Sequence, residues 1–127
     1  MKKILGAIAA LAMTVGLAAC GTPASQGTAN QNQLVVGMEA GYPPFNWTQK
    51  DDSNGAVKIQ GTDQYAGGYD VEIAKRVAKQ LGKELVIVKT EWDGLTPALV
   101  SGKIDAIIAG MSPTEERKAT IDFTDSY

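Results

Sequence analysis

Histidine is absent from this 127-residue sequence, and cysteine occurs only once, at Cys20. Without histidine or a second cysteine, the chain cannot build a zinc site of the His₂ or Cys₂ kind. The same absence excludes Ser–His and Cys–His nucleophilic catalysis, because the general base is missing. Several large enzyme classes are therefore excluded, and we expect neither a metal site nor a cofactor.

A stretch rich in lysine and arginine is also missing. The 12 basic residues are balanced by 14 acidic residues and form no basic run. Nucleic acid is therefore not an expected partner. Hydrophobic residues make up 44% and charged residues 20% of the chain, which is ordinary for a globular protein. This length predicts at most one domain.

Charge is missing from Ile4–Ala19, directly after Lys2 and Lys3. An uncharged run of this length is short for a membrane span and is typical of the apolar region of an export signal. The run ends in L-A-A before Cys20 and resembles a bacterial lipoprotein signal, in which the cysteine is lipidated after cleavage. We predict a lipoprotein signal peptide over residues 1–19 and lipidation of Cys20. The alternative is an ordinary secretory signal with an incidental cysteine.

Residues 20–33 have no charged side chain, almost no bulky apolar side chain and no periodicity. Such a composition is typical of a flexible tether. We therefore expect a domain over residues 34–127 that is lipid-anchored to the cell membrane on its extracytoplasmic face.

Short apolar runs alternate with segments of helical periodicity in the remaining chain. The apolar runs predict buried strands, and the periodic segments predict helices. In chain order these elements are Leu34–Met38, Gly68–Leu81, Glu84–Lys89, Asp93–Ser101 and Ala106–Ala109. Right-handed strand–helix–strand connections make the strands parallel. The predicted fold class is α/β, with a mostly parallel sheet flanked by helices.

Some finer features are predicted as well. Asp70 is expected to cap the first helix, because an acid there can accept from free backbone N–H groups. The inward face of this helix is expected to include Val77 and Leu81. Ala56–Gln60 is a candidate hairpin strand, and Ile121–Tyr127 is expected to form a fourth strand that leaves the domain.

Polar and aromatic residues follow the carboxyl ends of the three predicted strands. They are Glu39 and Tyr42, then Trp92, then Gly110, Ser112 and Arg117. Ligands of open α/β sheets bind beyond these strand ends. Gly110 permits close approach to the backbone, the Ser112 hydroxyl is a small donor, and the Arg117 guanidinium matches a carboxylate. The third group therefore predicts a pocket for a small carboxylate. The alternative is a strand end, a turn and a solvated helix start.

Five short motifs are spread over residues 34–127. They are G-Y-D-V-E-I from Gly68, W-D-G-L-x-P-A-L from Trp92, S-G-K-x-D from Ser101, A-G-M-S-x-T-x-x-R from Ala109 and I-D-F-T from Ile121. Together they resemble bacterial extracellular solute-binding proteins of the polar amino-acid class, the substrate-binding subunits of ABC importers. The resemblance implies a periplasmic-binding-protein-like fold of two lobes that enclose the ligand.

The resemblance also implies roles for the residues after the third strand. Arg117 is expected to pair with the α-carboxylate of an amino acid. Gly110 and Ser112 are expected to complete the contacts to the carboxylate and the ammonium group.

Three further residues are implied to contact the ligand side chain. Tyr42 and Trp92 are expected to stack on it from two sides. Glu39 occupies a position where the family often has an acid that meets the end of the ligand side chain. An acid beside two rings favours a cationic ligand, arginine or lysine before glutamine, because aromatic faces attract cations.

In this family the second lobe supplies an acid for the ligand ammonium group, and the sequence stops at Tyr127, near the first crossing between lobes. The chain is therefore expected to be an incomplete N-terminal lobe with half a site and with the second lobe absent. Without the second lobe to exclude water, we expect residues 20–127 to bind amino acids more weakly than about millimolar.

The resemblance favours a non-enzymatic receptor that binds a free amino acid and delivers it to an ABC permease. One alternative is a ligand-sensing receptor domain, against which the lipoprotein signal argues. Another is a dehydratase of the same fold, for which Glu39 is the candidate general acid. The last is a non-functional fragment.

Overall fold

The computed structural model describes residues 30–127. Its elements in chain order are β1 (Gln33–Met38), β2 (Gly41–Tyr42), β3 (Asn46–Gln49), β4 (Val57–Lys58), β5 (Tyr65–Gly67), α1 (Tyr69–Gln80), β6 (Glu84–Lys89), α2 (Trp92–Val100), β7 (Ala106–Ile107) and α3 (Glu115–Lys118). The predicted signal peptide, Cys20 and most of the predicted tether lie outside the described residues. Within residues 30–127, no helix has the length and apolar character needed to cross a membrane.

The parallel sheet has the strand order β6–β1–β7, which confirms the predicted α/β class. β1 is the central strand and the most buried of the three. Val36 and Met38 are fully buried, and Val36 pairs with Ile87 on one side. The third strand is shorter than predicted. Ile108 and Ala109 are buried but leave the ladder as the chain approaches the turn at Gly110.

A four-stranded antiparallel sheet, ordered β2–β3–β5–β4, was not predicted beyond one hairpin strand. The candidate Ala56–Gln60 is confirmed in part, since Val57–Lys58 pairs with β5. An isolated bridge between Ile59 and Ile87 joins this sheet to β6 of the parallel sheet. The antiparallel sheet therefore lies beside the parallel one and carries the loop that follows β1.

The predicted cap of α1 is wrong. Gly68 is the N-cap residue, and no side chain caps the helix. Asp70 is instead fully buried in the first turn, where its carboxylate accepts hydrogen bonds from other parts of the lobe. Two predicted inward residues are also exposed, Val77 by 38% and Leu81 by 56%. Val77 lies at the margin of the buried face, and Leu81 lies beyond the last turn.

The segment 121–127 is not a strand, contrary to the prediction. Within the described residues, β7 pairs with β1 alone, so the segment adds no strand to the outer edge of β7. Ile121 is buried, and the rest of the segment runs along the lobe until Tyr127 contacts α1. This path brings the segment to the same edge of the sheet as the predicted site.

Candidate functional site

The loop after β1 presents two stacked aromatic rings. Tyr42 and Phe45 have centroids 5.2 Å apart and planes inclined by 27°. The backbone N–H of Phe45 donates to the Tyr42 carbonyl, so the turn itself brings the two rings together. Tyr42 is half-exposed and offers part of its ring to a ligand.

The loop after β7 lies directly beneath these rings. A Cβ atom at Gly110 would be 3.4 Å from the Tyr42 ring and 3.7 Å from the Phe45 ring. Gly110 also has a φ of +63°, which residues with a side chain rarely adopt. The structure therefore brings Gly110 and Tyr42 together, as the strand order predicts.

Arg117 lies in α3, whose start is capped by Thr114. The Thr114 hydroxyl accepts from the Arg117 backbone N–H at 3.3 Å. The Arg117 side chain is directed back to the turn, where Nη1 donates to the Ser112 carbonyl at 2.9 Å. Within residues 30–127, no carboxylate oxygen lies within 4.0 Å of this guanidinium. Arg117 therefore presents a positive charge that the described part of the chain does not neutralise.

The Trp92 ring contacts the Arg117 guanidinium. The Arg117 Cζ atom lies above the Trp92 ring, 5.5 Å from its centroid. Trp92 is itself half-buried and packs against the hydrophobic core at the start of α2. The ring therefore holds the guanidinium through a cation–π contact, a role that the sequence did not indicate.

Glu39 directly follows β1, at the carboxyl end of the sheet's central strand. It is half-buried, and its carboxylate has no hydrogen bond or ion pair to another residue in the described part of the chain. The chain turns sharply after it, because Ala40 has a φ of +54°. Glu39 thus lies on the predicted rim but makes no hydrogen bond or ion pair with the other five predicted residues.

An open cavity of about 560 Å³ lies between the outer edge of β7 and the segment 121–127. Tyr42, Phe45, Gly110, Ser112 and Tyr127 are among its lining residues. The other predicted residues, Glu39, Trp92 and Arg117, do not line it. The predicted residues therefore form a cavity group and a Trp92–Arg117 pair, with Glu39 apart. Ser112 belongs to the cavity group and also contacts Arg117.

Sequence reasoning missed a buried polar cluster beside this cavity. The Asp70 carboxylate accepts from Asn46 Nδ2 at 2.7 Å and from the Tyr127 hydroxyl at 2.8 Å. Burial, and then the neighbouring Asp70 carboxylate, raises the pKa of the Tyr127 hydroxyl well above its usual value. The backbone of Gly110 acts on the same hydroxyl and opposes part of this effect. An acid in the first turn of a helix is usually a cap, so the sequence carried no signal for this cluster.

The site has donors and positive charge but no set of metal ligands. Within residues 30–127, no group of three or more His, Cys, Asp or Glu side chains is placed to hold a metal ion. A guanidinium held by a carbonyl and a ring can bind an anion with two parallel hydrogen bonds. The arrangement therefore suits recognition of a carboxylate.

Comparison with known proteins identifies the family. Residues 34–127 match the model of the bacterial extracellular solute-binding proteins, family 3. The arginine-binding extracellular protein ArtP of Bacillus subtilis is 35% identical over 127 residues, with all of this chain and 45% of ArtP covered. The glutamine-binding protein GlnH of the same organism is 35% identical over 144 residues, with all of this chain and 49% of GlnH covered.

A solved structure extends this likeness to the fold. The arginine-bound form of domain 1 from TmArgBP matches with a TM-score of 0.62 and 42% identity, over 76% of this chain and 68% of that one. The chain spans about half the length of the curated relatives that it matches. It belongs to the bacterial extracellular solute-binding proteins, family 3, a family of binding proteins and not of enzymes.

Proposed function

We propose that this member of the solute-binding family is the lobe of an amino-acid receptor that holds the ligand's α-carboxylate. The receptor is proposed to prefer a cationic ligand, arginine or lysine before glutamine. The observation that carries the proposal is the Arg117 guanidinium. It is held by Ser112 and Trp92, and no carboxylate of the described chain neutralises it.

The carboxylate is proposed to bind between Arg117 and the turn that begins at Gly110. One nitrogen of the guanidinium is already bonded to the Ser112 carbonyl, which fixes the plane of the group. Its remaining N–H groups and the Ser112 hydroxyl are suitable donors to a carboxylate. Because Gly110 has no side chain, the ligand can approach the backbone there.

The ligand side chain is proposed to extend towards Tyr42 and Glu39. The exposed part of the Tyr42 ring and the carboxylate of Glu39, which no cation of the described chain neutralises, both favour a cation. One face of Trp92 is already occupied by Arg117. We therefore propose that Trp92 acts mainly by orienting Arg117, while Tyr42 stacks on the ligand side chain.

Two relatives support arginine as the ligand. ArtP is named for arginine, and domain 1 from TmArgBP has an arginine-bound form. We therefore propose arginine as the first candidate ligand of the lobe, and the expectation that residues 20–127 alone bind amino acids more weakly than about millimolar stays a prediction. GlnH, named for glutamine, makes glutamine the second candidate ligand.

The physiological partner is proposed to be the permease of an ABC importer. A lipid on Cys20 and a tether over residues 20–33 would keep the receptor at the extracytoplasmic face of the membrane, near that permease. The lipid is proposed to provide the anchoring, because the chain that follows the predicted cleavage lacks Lys2 and Lys3 and has a net charge of 10 − 14 = −4, which gives no attraction to anionic lipid headgroups.

The preference for a cation is tested by replacing Glu39 with glutamine. Glu39→Gln should weaken arginine binding about tenfold or more and glutamine binding much less, because only arginine loses an opposite charge. Calorimetric titration of both amino acids into each variant measures the difference. Glu84→Gln is the matched control, since Glu84 begins β6 at the opposite end of the sheet. Equal losses for arginine and glutamine would remove Glu39 from the specificity pocket.

A further inference from the structure

Asp70 is a buried carboxylate whose partners are all neutral. It has no solvent exposure, and within residues 30–127 no lysine or arginine lies within 4.0 Å of it. Its charge is balanced by the first turn of α1 and by donors from Asn46 and Tyr127. Because a buried charge is costly unless every oxygen is bonded, both donors must stay in place.

Asn46 connects this carboxylate to the aromatic loop. It pairs with Tyr42 across the β2–β3 hairpin, and its Nδ2 atom donates to Asp70. The Asp70 backbone N–H also donates to the Phe45 carbonyl at 2.8 Å. The Asn46 Oδ1 atom is buried without a partner in the described chain, because the carboxylate requires the amide nitrogen to face it. Asp70 therefore fixes the base of the Tyr42–Phe45 loop.

Tyr127 connects the same carboxylate to the opposite wall of the cavity. Its hydroxyl donates to Asp70, and its ring lies against Tyr69 with centroids 6.0 Å apart. Tyr127, at the end of the segment 121–127, lines the cavity together with Gly110. A continuous series of hydrogen bonds thus runs from the aromatic loop through Asn46 and Asp70 to Tyr127, which lines the same cavity as Gly110.

We propose that Tyr127 is a positioning residue of the ligand site. Its hydroxyl, bonded to the buried Asp70 carboxylate, holds the Tyr42–Phe45 loop in place against the Gly110 turn. The inference rests on the proposed function insofar as the ligand is an amino acid that binds beside the Gly110 turn and the Tyr42 ring. The series of hydrogen bonds itself does not depend on which ligand binds.

Without the Tyr127 hydroxyl, one Asp70 oxygen loses its donor. The carboxylate must then draw in water or another donor, which moves the aromatic loop relative to Gly110. Tyr127→Phe keeps the ring and its contact with Tyr69, so we expect the chain to remain folded. Arginine binding should weaken about tenfold, the usual effect of losing a hydrogen bond to a charged group.

The test uses the full chain in mild detergent and two readouts. Amide resonances of Gly110 and Phe45 are compared by NMR without ligand, and L-arginine is then titrated calorimetrically. Tyr69→Phe is the matched control, because its hydroxyl has no hydrogen-bond partner among the described residues. We expect Tyr127→Phe to shift both amides and to weaken arginine binding, and Tyr69→Phe to do neither.

Asp70→Asn provides a second variant. Its amide can still accept from Tyr127 through oxygen and can donate to Asn46 Oδ1, so this variant should shift the two amides and weaken arginine binding less than Tyr127→Phe does. Unchanged Gly110 and Phe45 amides in Tyr127→Phe would overturn the inference, as would an unchanged arginine affinity with a lower unfolding temperature. If the parent chain binds no arginine, the proposed function fails, and the ligand-free amide shifts alone decide the role of Tyr127.

Discussion

At the scale of single residues, Arg117 is a charged side chain that its neighbours hold in one orientation. A fully solvated guanidinium gains little from an ion pair, because water screens the attraction. Arg117 is half-buried, with its plane fixed by the Ser112 carbonyl and one face covered by Trp92. These contacts remove water and side-chain freedom before a ligand arrives. A lysine here could not make the same paired hydrogen bonds to a carboxylate.

The Tyr127 hydroxyl should ionise at a higher pH than an ordinary tyrosine hydroxyl does. Burial, and then the Asp70 carboxylate, raises the pKa of its hydroxyl above the ordinary value of 10.0. The folded state thus holds this proton more tightly than the unfolded state does. The stabilisation is therefore complete below about pH 10 and is lost as the pH rises through the raised pKa.

Ultraviolet absorbance of the phenolate form measures this titration. The parent chain has four tyrosines and should show a late step that Tyr127→Phe removes. Tyr69→Phe should leave the late step in place. The absence of a late step in the parent chain would contradict the hydrogen bond between Tyr127 and Asp70.

At the scale of elements, the start of α1 depends on Gly68. Its φ is +123°, and an added Cβ would lie 2.4 Å from the Phe45 carbonyl oxygen. Gly68→Ala should therefore force the helix away from the aromatic loop and lower the free energy of unfolding by about 3 kcal/mol or more. Chemical denaturation monitored by circular dichroism measures the change.

Gly82, just past the other end of α1, is the matched control. It also has a positive φ, of +65°, but an added Cβ there would meet no atom within 4 Å. Gly82→Ala should lower the free energy of unfolding by only about 1 kcal/mol, because its sole penalty is a side chain on a backbone with positive φ. Equal decreases in the free energy of unfolding for Gly68→Ala and Gly82→Ala would mean that the contact between Gly68 and Phe45 does not position the helix.

The parallel sheet could be predicted because its strands are short apolar runs bounded by turn residues. Glu84–Lys89 has the predicted bounds, and Gly82 ends α1 as expected. The antiparallel sheet could not be predicted beyond its hairpin strand. β2 has two residues and precedes two prolines, and β3 is polar, so their pairing depends on tertiary contacts.

The candidate site was predictable to the extent that it follows from strand order. Parallel strands place the loops after β1, β6 and β7 on one edge, which brings Gly110 to Tyr42. The role of Asp70 was misassigned, because an acid in a first turn normally caps its helix in solvent. Only the packing of the aromatic loop against α1 shows that this carboxylate is buried and bonded to Tyr127.

At the scale of the whole molecule, the predicted lipid on Cys20 should decide where the protein resides. Cys20→Ala should release the chain into the soluble fraction, because the uncharged tether and the acidic lobe have no other affinity for lipid. Membrane fractionation followed by immunoblotting measures the release. Retention of the variant in the membrane pellet after a carbonate wash would contradict lipid anchoring.

We propose that this lobe holds the α-carboxylate of arginine through Arg117 and the Gly110 turn. NMR titration of the chain with L-arginine tests it most directly. We predict saturable shifts of the Gly110 and Ser112 amides and of the Trp92 indole. Arg117→Ala should weaken binding by about 2–5 kcal/mol, and Arg117→Lys should restore little of it. Saturable binding that survives in Arg117→Ala, or that leaves Gly110 and Ser112 unmoved, would contradict the account.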